Sequence, residues 1–316
     1  VSEALNLTED RRPEPRRRAA ALLAELEAEG LDAGAPRLGL TGAPGAGKST
    51  LLDGIVRRMR GRDETVGVVA VDPSSRRSGG ALLGDRIRVR IGSRDPGVFL
   101  RSLAARERLG GLAEGARAAV TVLGAAFDRV IVETVGVGQS EGEVAHLVDT
   151  LVYVAQPGAG DLLQFMKAGI LELPDVFAVN KADVGPAAGR TARELEAGLG
   201  LSEARAGGWV PPVVPVSARD GLGLDALEEA LERHRTHLAQ EGRLLARRRE
   251  GRDAFVREAL LARYGSFGLE TLGGAQVVEA RLRAEPGASG FALVDALGAE
   301  IEDALRKTGG AGGPAR

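Results

Sequence analysis

The chain has 316 residues, enough for one sizeable core with appendages, and a formal net charge of −2, so no global field draws it to nucleic acid or to a membrane surface. It has no cysteine, which excludes a disulfide framework and thiolate metal sites. No apolar run approaches the length of a membrane span, and the opening, Val1 to Asp10, lacks a signal-peptide core, so a cytoplasmic protein is expected. Of 42 basic residues only four are lysine: Lys48, Lys167, Lys181 and Lys307. Arginine is the habitual cation here, so each lysine is a candidate for a place that needs a compact ammonium rather than a planar guanidinium.

Residues 1–35 read as a helical arm, with one helix from Arg16 to Glu29. The arginine run 11–18 is interrupted by two prolines and Glu14 and reads as solvated. A short apolar strand, Leu38 to Thr41, then runs into Gly42-Ala43-Pro44-Gly45-Ala46-Gly47-Lys48-Ser49-Thr50, which has the spacing G-x-x-x-x-G-K-[ST]. An amphipathic helix follows, with Leu51, Leu52, Ile55, Val56 and Met59 on one stripe. Small residues let backbone N–H groups close around a polyphosphate at a helix N-terminus, whose dipole favours negative charge. Lys48 would reach the β- and γ-phosphates and the Ser49 hydroxyl would bind Mg²⁺. A glycine-rich turn matching by chance is the competing reading, and the flanking strand and helix argue against it. A nucleoside triphosphate is the expected ligand.

Further apolar runs predict strands at Val66 to Asp72, Arg129 to Glu133, Thr150 to Ala155, Val176 to Val179 and Val213 to Val216. Helical segments are predicted from Gly115 to Phe127, Asp161 to Leu171, Thr191 to Leu199 and Leu224 to Leu238. This alternation specifies an α/β fold, a doubly wound, mostly parallel sheet of the P-loop NTPase kind, occupying residues 36–240. Ligands in such sheets bind at the carboxyl ends of the strands, where Asp72, Glu133, Asn180, Asp183 and Ser217 all fall. Residues 241–307 form a helical extension, with an Arg-rich helix from Leu244 to Tyr264, a glycine-rich link and a last helix from Phe291 to Arg306. It reads as a dimerisation arm or as a helical cap on its own chain. The tail 308–316 has a disordered composition.

Asn180-Lys181-Ala182-Asp183 has the form N-K-x-D. A carboxylate at Asp183 can accept hydrogen bonds from guanine N1–H and the 2-amino group. Adenine offers neither donor there and would leave a buried charge unpaired. Lys181 can lay its stem over the base, Asn180 can brace the loop, and Ser217-Ala218 would supply a backbone N–H to the base oxygen. In register with a phosphate loop, the motif selects GTP.

Glu133-Thr-Val-Gly136 occupies the slot of D-x-x-G: a carboxylate that orients Mg²⁺ through water, and a Gly136 N–H that meets the γ-phosphate. Asp72 and Asp85 are further carboxylates for the ion, Asp85 contacting it when its glycine-containing segment is ordered and Asp72 standing behind. Arg88 could pair with Asp85 or with phosphate. His146, His234 and His237 show no partner pattern, and the last two read as helix surface rather than a metal site.

Five strings then resemble the MeaB/ArgK GTPases, which attend adenosylcobalamin-dependent methylmalonyl-CoA mutase and its relatives. They are Val71-Asp-Pro-Ser-Ser75, Ser78-Gly-Gly80 with Leu83-Gly-Asp85, Glu133-Thr-Val-Gly-Val-Gly-Gln-Ser-Glu141, Pro157-Gly-Ala-Gly-Asp161 and Val179-Asn-Lys-Ala-Asp183. The resemblance covers about residues 37–250. Related nickel-delivery GTPases share the glutamate but add His/Cys clusters that this sequence lacks. The resemblance implies a homodimeric G-protein chaperone that gates cofactor loading of an acyl-CoA mutase and protects it. It also implies a mobile switch element at Asp161 to Leu173, containing Lys167. Two departures stand: about 36 residues precede the first strand, fewer than the family's usual helical extension, and no motif aligns from Tyr264 onward.

Two rival functions remain at this point. One is a kinase passing the γ-phosphoryl group to a small acceptor, as the family was once described; the other is a nucleotide-binding scaffold with negligible turnover.

Overall fold

The computed structural model describes residues 1–10, 12–73, 95–105, 111–134, 140–158, 172–200 and 208–309. In chain order the first elements are α1 (Ser2–Glu9), α2 (Pro13–Ala28), β1 (Arg37–Thr41), α3 (Lys48–Arg60), β2 (Val66–Pro73), β3 (Val98–Ala105), α4 (Gly111–Gly124) and β4 (Arg129–Thr134). They are followed by α5 (Ser140–Ala145), β5 (Thr150–Ala155), β6 (Val176–Val179), a 3₁₀ turn (Ala182–Val184), α6 (Ala187–Gly200) and β7 (Val213–Pro215). Four helices close the chain: α7 (Leu224–Ala239), α8 (Arg243–Thr271), α9 (Ala275–Ala284) and α10 (Gly290–Gly309). These fold into two compact units, one of Ala35–Ala105 and Phe127–Arg248, the other of Val1–Gly34, Arg106–Ala126 and Arg249–Arg316. No helix among the described residues is long and apolar enough to cross a membrane.

The first unit is built on a seven-stranded sheet in the order β3-β2-β4-β1-β5-β6-β7. Every pairing in it is parallel. Strands β1, β5 and β6 are buried at every residue, as expected when helices cover both faces. The stripe Leu51, Leu52, Ile55, Val56 and Met59 of α3 joins Leu40, Val68, Ile131, Val152 and Val154 in one core. On the other face Tyr153, Phe177 and Val179 pack with Ala188, Ala192 and Leu195 of α6. Each such large side chain contributes about 1.5–3 kcal/mol by leaving water.

Three aspartates tie the strands at their amino ends. Asp128, Asp149 and Asp175 each stand one residue before a strand and accept the backbone N–H of Thr65 (2.8 Å), Arg37 (2.9 Å) and Leu151 (2.8 Å) in turn. These donors lie within one residue of the start of neighbouring strands, so the carboxylates satisfy N–H groups at the margin of the ladder. Two arginines at the start of α8 close over two of them. Arg248 meets Asp149 through Nε and Nη2, both at 2.7 Å. Arg247 meets Asp175 through Nη1 at 3.0 Å and Nη2 at 2.8 Å. Both are forked, charge-assisted pairs.

His234, read from the sequence as helix surface, is instead buried. It lies on the inward stripe of α7 with Leu227, Ala230 and Leu238, its Nδ1 2.9 Å from Thr150 Oγ1 and its Nε2 3.5 Å from Asp175.

The second unit is helical. Glu27 of α2 pairs with Arg117 of α4 at 3.4 Å and accepts from Ser289 Oγ and from the Gly290 N–H. The Arg117 guanidinium lies over the Phe255 ring, 5.1 Å from its centroid. Arg252 donates to the carbonyls of Leu282, Glu285 and Ala288, closing the C-terminal end of α9 with positive charge.

Five elements depart from the sequence reading. α1, α5 and α9 are short helices, the last inside the stretch expected as a glycine-rich link. β3 is an edge strand whose Arg101 and Ser102 interrupt the apolar run that marks a buried one. The Arg-rich helix also runs on to Thr271, bent at Gly265, whose φ of 67° lets the chain turn.

Candidate active site

The carboxyl ends of β1, β4, β6 and β7 converge on the loop between β1 and α3. Strand β1 lies between β4 and β5, in register Leu40 opposite Glu133 and Thr41 opposite Tyr153. The loop must turn sharply against β5. Gly42, at φ 136°, has the Val154 carbonyl where a β-carbon would stand. Gly47, at φ 92°, has the carboxamide of Asn180 there. Both positions exclude any other residue. The first turn of α3 carries no acidic side chain, so the positive end of the helix dipole is left for an anion.

Lys48 is buried, with Nζ donating to the carbonyls of Gly42 at 2.6 Å and Ala43 at 3.1 Å. The ammonium is therefore held at the mouth of the loop, a point charge where phosphate oxygens would lie. One residue on, Ser49 Oγ donates to Glu133 Oε1 at 2.7 Å, and Glu133 is only 4% exposed. Two oxygen donors thus stand side by side at the lip of the loop, the hard donor chemistry that Mg²⁺ accepts. Among the described residues no group of three or more His, Asp or Glu is placed to hold a metal. Mg²⁺ needs none, since it takes one or two protein ligands and keeps waters. Thr134, not singled out in the sequence, donates to Thr41 Oγ1 at 3.0 Å and ties β4 to β1 behind the loop.

At the next strand ends the base motif assembles. Asn180 Nδ2 donates to the Ala46 carbonyl at 2.8 Å, while its Oδ1 accepts the Ala218 N–H at 3.0 Å. One side chain therefore braces the phosphate loop and the Ser217-Ala218 turn together. The Ala218 N–H, expected for the base oxygen, is given to Asn180 in this structure. Ser217 is fully buried and its Oγ accepts the Asp220 N–H at 3.2 Å. Lys181 adopts φ 60°, an uncommon conformation for a non-glycine residue and one that recurs at ligand sites. Asp183 pairs with Arg219 at 2.9 Å, a partner the sequence reading passed over although it directly follows Ser217-Ala218. Hydrogen bonding to Asp220, and then the charge of Asp183, push the Arg219 guanidinium further toward its charged form. The same contact with Arg219 holds Asp220 below the usual carboxylate range.

Asp72 falls at the penultimate position of β2, opposite Ala104, with its side chain outside the described part. Asp85, Arg88, Gly136, Asp161 and Lys167 lie outside the described residues.

A parallel sheet whose central strand feeds a glycine loop and helix, with N-K-x-D at a neighbouring strand end, defines a P-loop GTPase. The chain belongs to the family described as methylmalonyl-CoA mutase-associated GTPase MeaB, whose model matches residues 1–265. It is 38% identical over 253 residues to GTPase ArgK of Escherichia coli strain K12, covering 77% of this chain and 74% of that protein. It is 36% identical over 260 residues to the mouse protein named methylmalonic aciduria type A homolog, mitochondrial, covering 78% of this chain and 62% of that protein. A protein of Pyrococcus abyssi named as a GTPase is 48% identical over 216 residues, 67% of this chain and 66% of its own length. Among solved structures, that of an LAO/AO transport system kinase superposes with a TM-score of 0.68 at 27% identity, covering 90% of this chain and 91% of the other. Family, fold class and GTPase activity thus agree with the sequence reading.

Proposed function

We propose that the chain hydrolyses GTP with Mg²⁺ and uses the reaction to gate adenosylcobalamin loading of an acyl-CoA mutase of the methylmalonyl-CoA mutase type, and to protect it. The observation that carries the chemistry is the pairing of Ser49 with Glu133 beside Lys48. The family's description, which names association with methylmalonyl-CoA mutase, supports the partner.

Ser49 and Glu133 would hold Mg²⁺, with Asp85 and Asp72 as further carboxylates. Bound there, the ion would neutralise charge on the β- and γ-phosphates. In hydrolysis a water oxygen bonds to the γ-phosphorus as the bond to the β–γ bridging oxygen breaks. GDP leaves with the electron pair, and the water's protons pass to phosphate and solvent. Lys48 offsets the charge that builds on the bridging oxygen, and the loop N–H groups from Gly42 to Ser49 orient the phosphates. Asn180 fixes the loop against the base pocket, where Asp183 selects guanine. The Gly136 N–H completes the γ-phosphate contacts in this reading.

Arg88, Asp161 and Lys167 are proposed as switch residues that pass nucleotide state to the partner. Lys167→Ala then leaves basal hydrolysis unchanged and abolishes its stimulation by the mutase. The working form is a cytoplasmic homodimer, without nucleic-acid or membrane partners.

The test is hydrolysis of GTP and ATP, with Mg²⁺ and with EDTA, in the presence and absence of a cobalamin-dependent acyl-CoA mutase, followed by loading of the apo-mutase. Mg²⁺-dependent release of phosphate from GTP, and loading that differs between GTP- and GDP-bound protein, are expected. Loading indifferent to nucleotide overturns the chaperone role. The kinase reading has behind it the name of the superposed structure. Phosphate transferred to an added acceptor instead of released would favour it, and absence of turnover in all conditions would favour a scaffold.

A further inference from the structure

Asp183 is engaged by a neighbouring guanidinium. Nη2 of Arg219 stands 2.9 Å from its Oδ2. The same guanidinium is tethered to Asp220 through Nε at 2.9 Å and Nη2 at 3.2 Å. Guanine asks for both oxygens of Asp183, one for N1–H and one for the 2-amino group. Hypoxanthine has the N1–H but no 2-amino group, so it asks for one oxygen and leaves the other to Arg219.

We propose that Arg219 is a specificity-determining residue, a latch on Asp183 that guanine displaces and hypoxanthine leaves in place. This rests on reading Asn180 to Asp183 as the guanine motif. When displaced, the guanidinium stays charge-paired on Asp220, so opening the latch strands no cation. With Oδ2 as the oxygen that serves the 2-amino group, the latch competes with that contact and lowers the very discrimination that Asp183 provides. Its strength is limited, because the Arg219 side chain is 74% exposed and water screens the pair. A surface pair of this kind is worth roughly a two- to fivefold change in an equilibrium constant.

The experiment is calorimetric titration of the full chain with GDP and with IDP in Mg²⁺, for wild type, Arg219→Ala, Asp183→Ala and the double variant, at low and high ionic strength. Arg219→Ala is expected to tighten GDP about two- to fivefold and leave IDP unchanged, with the gain shrinking as salt rises. In the Asp183→Ala background the second substitution should do nothing. Unchanged or weakened GDP binding in Arg219→Ala overturns the latch, as does an equal gain for both nucleotides. If Asp183→Ala leaves GDP affinity intact, the base-motif reading itself fails. If Asp183→Ala weakens GDP and Arg219→Ala does not shift the GDP-to-IDP ratio, only the latch fails.

Discussion

The carboxamide of Asn180 occupies the space where a β-carbon on Gly47 would stand, and it donates to the Ala46 carbonyl beside it at 2.8 Å. Two motifs more than a hundred residues apart in sequence are therefore one packing unit: the glycine is required by the asparagine as much as by the phosphate. Asn180→Ala leaves the Ala46 carbonyl and the Ala218 N–H without their partner. The expected cost is about 1–3 kcal/mol of stability, with weaker binding of GDP and GTP alike. Denaturant unfolding and a GDP titration check it; an unchanged midpoint and affinity would show that the brace carries no energy.

Lys48→Ala should abolish GTP hydrolysis and sharply weaken triphosphate binding while the fold survives. The ammonium donates to the loop carbonyls of Gly42 at 2.6 Å and Ala43 at 3.1 Å, so its removal disturbs the loop before the core. Circular dichroism close to wild type with no phosphate release is the expected pair of results. Turnover at the wild-type rate would refute the role of the loop.

Asp183→Asn tests base selection. An amide in place of the carboxylate loses the acceptor for one guanine donor and gains a donor for the 2-oxo group of xanthine. GTP affinity should fall by about 2–4 kcal/mol while xanthine nucleotides gain. The comparison is a competition between GTP and XTP, and equal GTP affinity in variant and wild type would sink the assignment.

Much of this site was legible because it consists of short strings with fixed spacing. The phosphate loop, the N-K-x-D string and the continuous apolar runs Thr150 to Ala155 and Val176 to Val179 lie where the sequence placed them. Spacing says nothing of which neighbour a side chain pairs with, so the pairings of Asp183 with Arg219 and of Asn180 with Ala218 come only from the structure. Strand β3 escaped because edge strands tolerate polar residues such as Arg101 and Ser102. His234 shares helical spacing with Leu227, Ala230 and Leu238, which places it on the buried stripe. A titratable side chain nevertheless reads as surface until a buried partner such as Thr150 is in view.

Stability should respond to acid through Asp128. The Thr65 N–H at 2.8 Å and then the Thr65 hydroxyl at 2.7 Å hold this carboxyl below its ordinary value of 3.8. A carboxylate whose folded-state value is depressed stabilises the fold fully above the unfolded value, and that contribution is lost as pH falls through the lower, folded one. Asp128→Asn should therefore be less stable than wild type at neutral pH and show a shallower loss on acidification below about pH 4. Urea midpoints across that range decide it, and parallel curves for the two proteins would exclude the linkage.

Arg247→Ala should separate stability from activity. Asp175 is buried at the amino end of β6, at the opposite end of the strand from Asn180, and takes the forked guanidinium of Arg247 as well as the Leu151 N–H. Removing the arginine leaves a buried carboxylate with less compensation, which for a fully buried pair costs about 3–5 kcal/mol. Arg247 is 24% exposed, so water can partly replace it, and about 2–3 kcal/mol is the expected loss. Asp175→Asn in the same chain removes the uncompensated charge while keeping an acceptor for the Leu151 N–H, and should recover part of that loss. The guanine and phosphate contacts lie at the carboxyl ends of the strands, so GDP affinity and GTP turnover at a temperature where both proteins are folded should match wild type. Thermal unfolding with parallel GDP titration measures the two together: a variant as stable as wild type would show the pair to be neutral, and a variant that is stable but weak in GDP binding would place Arg247 in the nucleotide machinery instead.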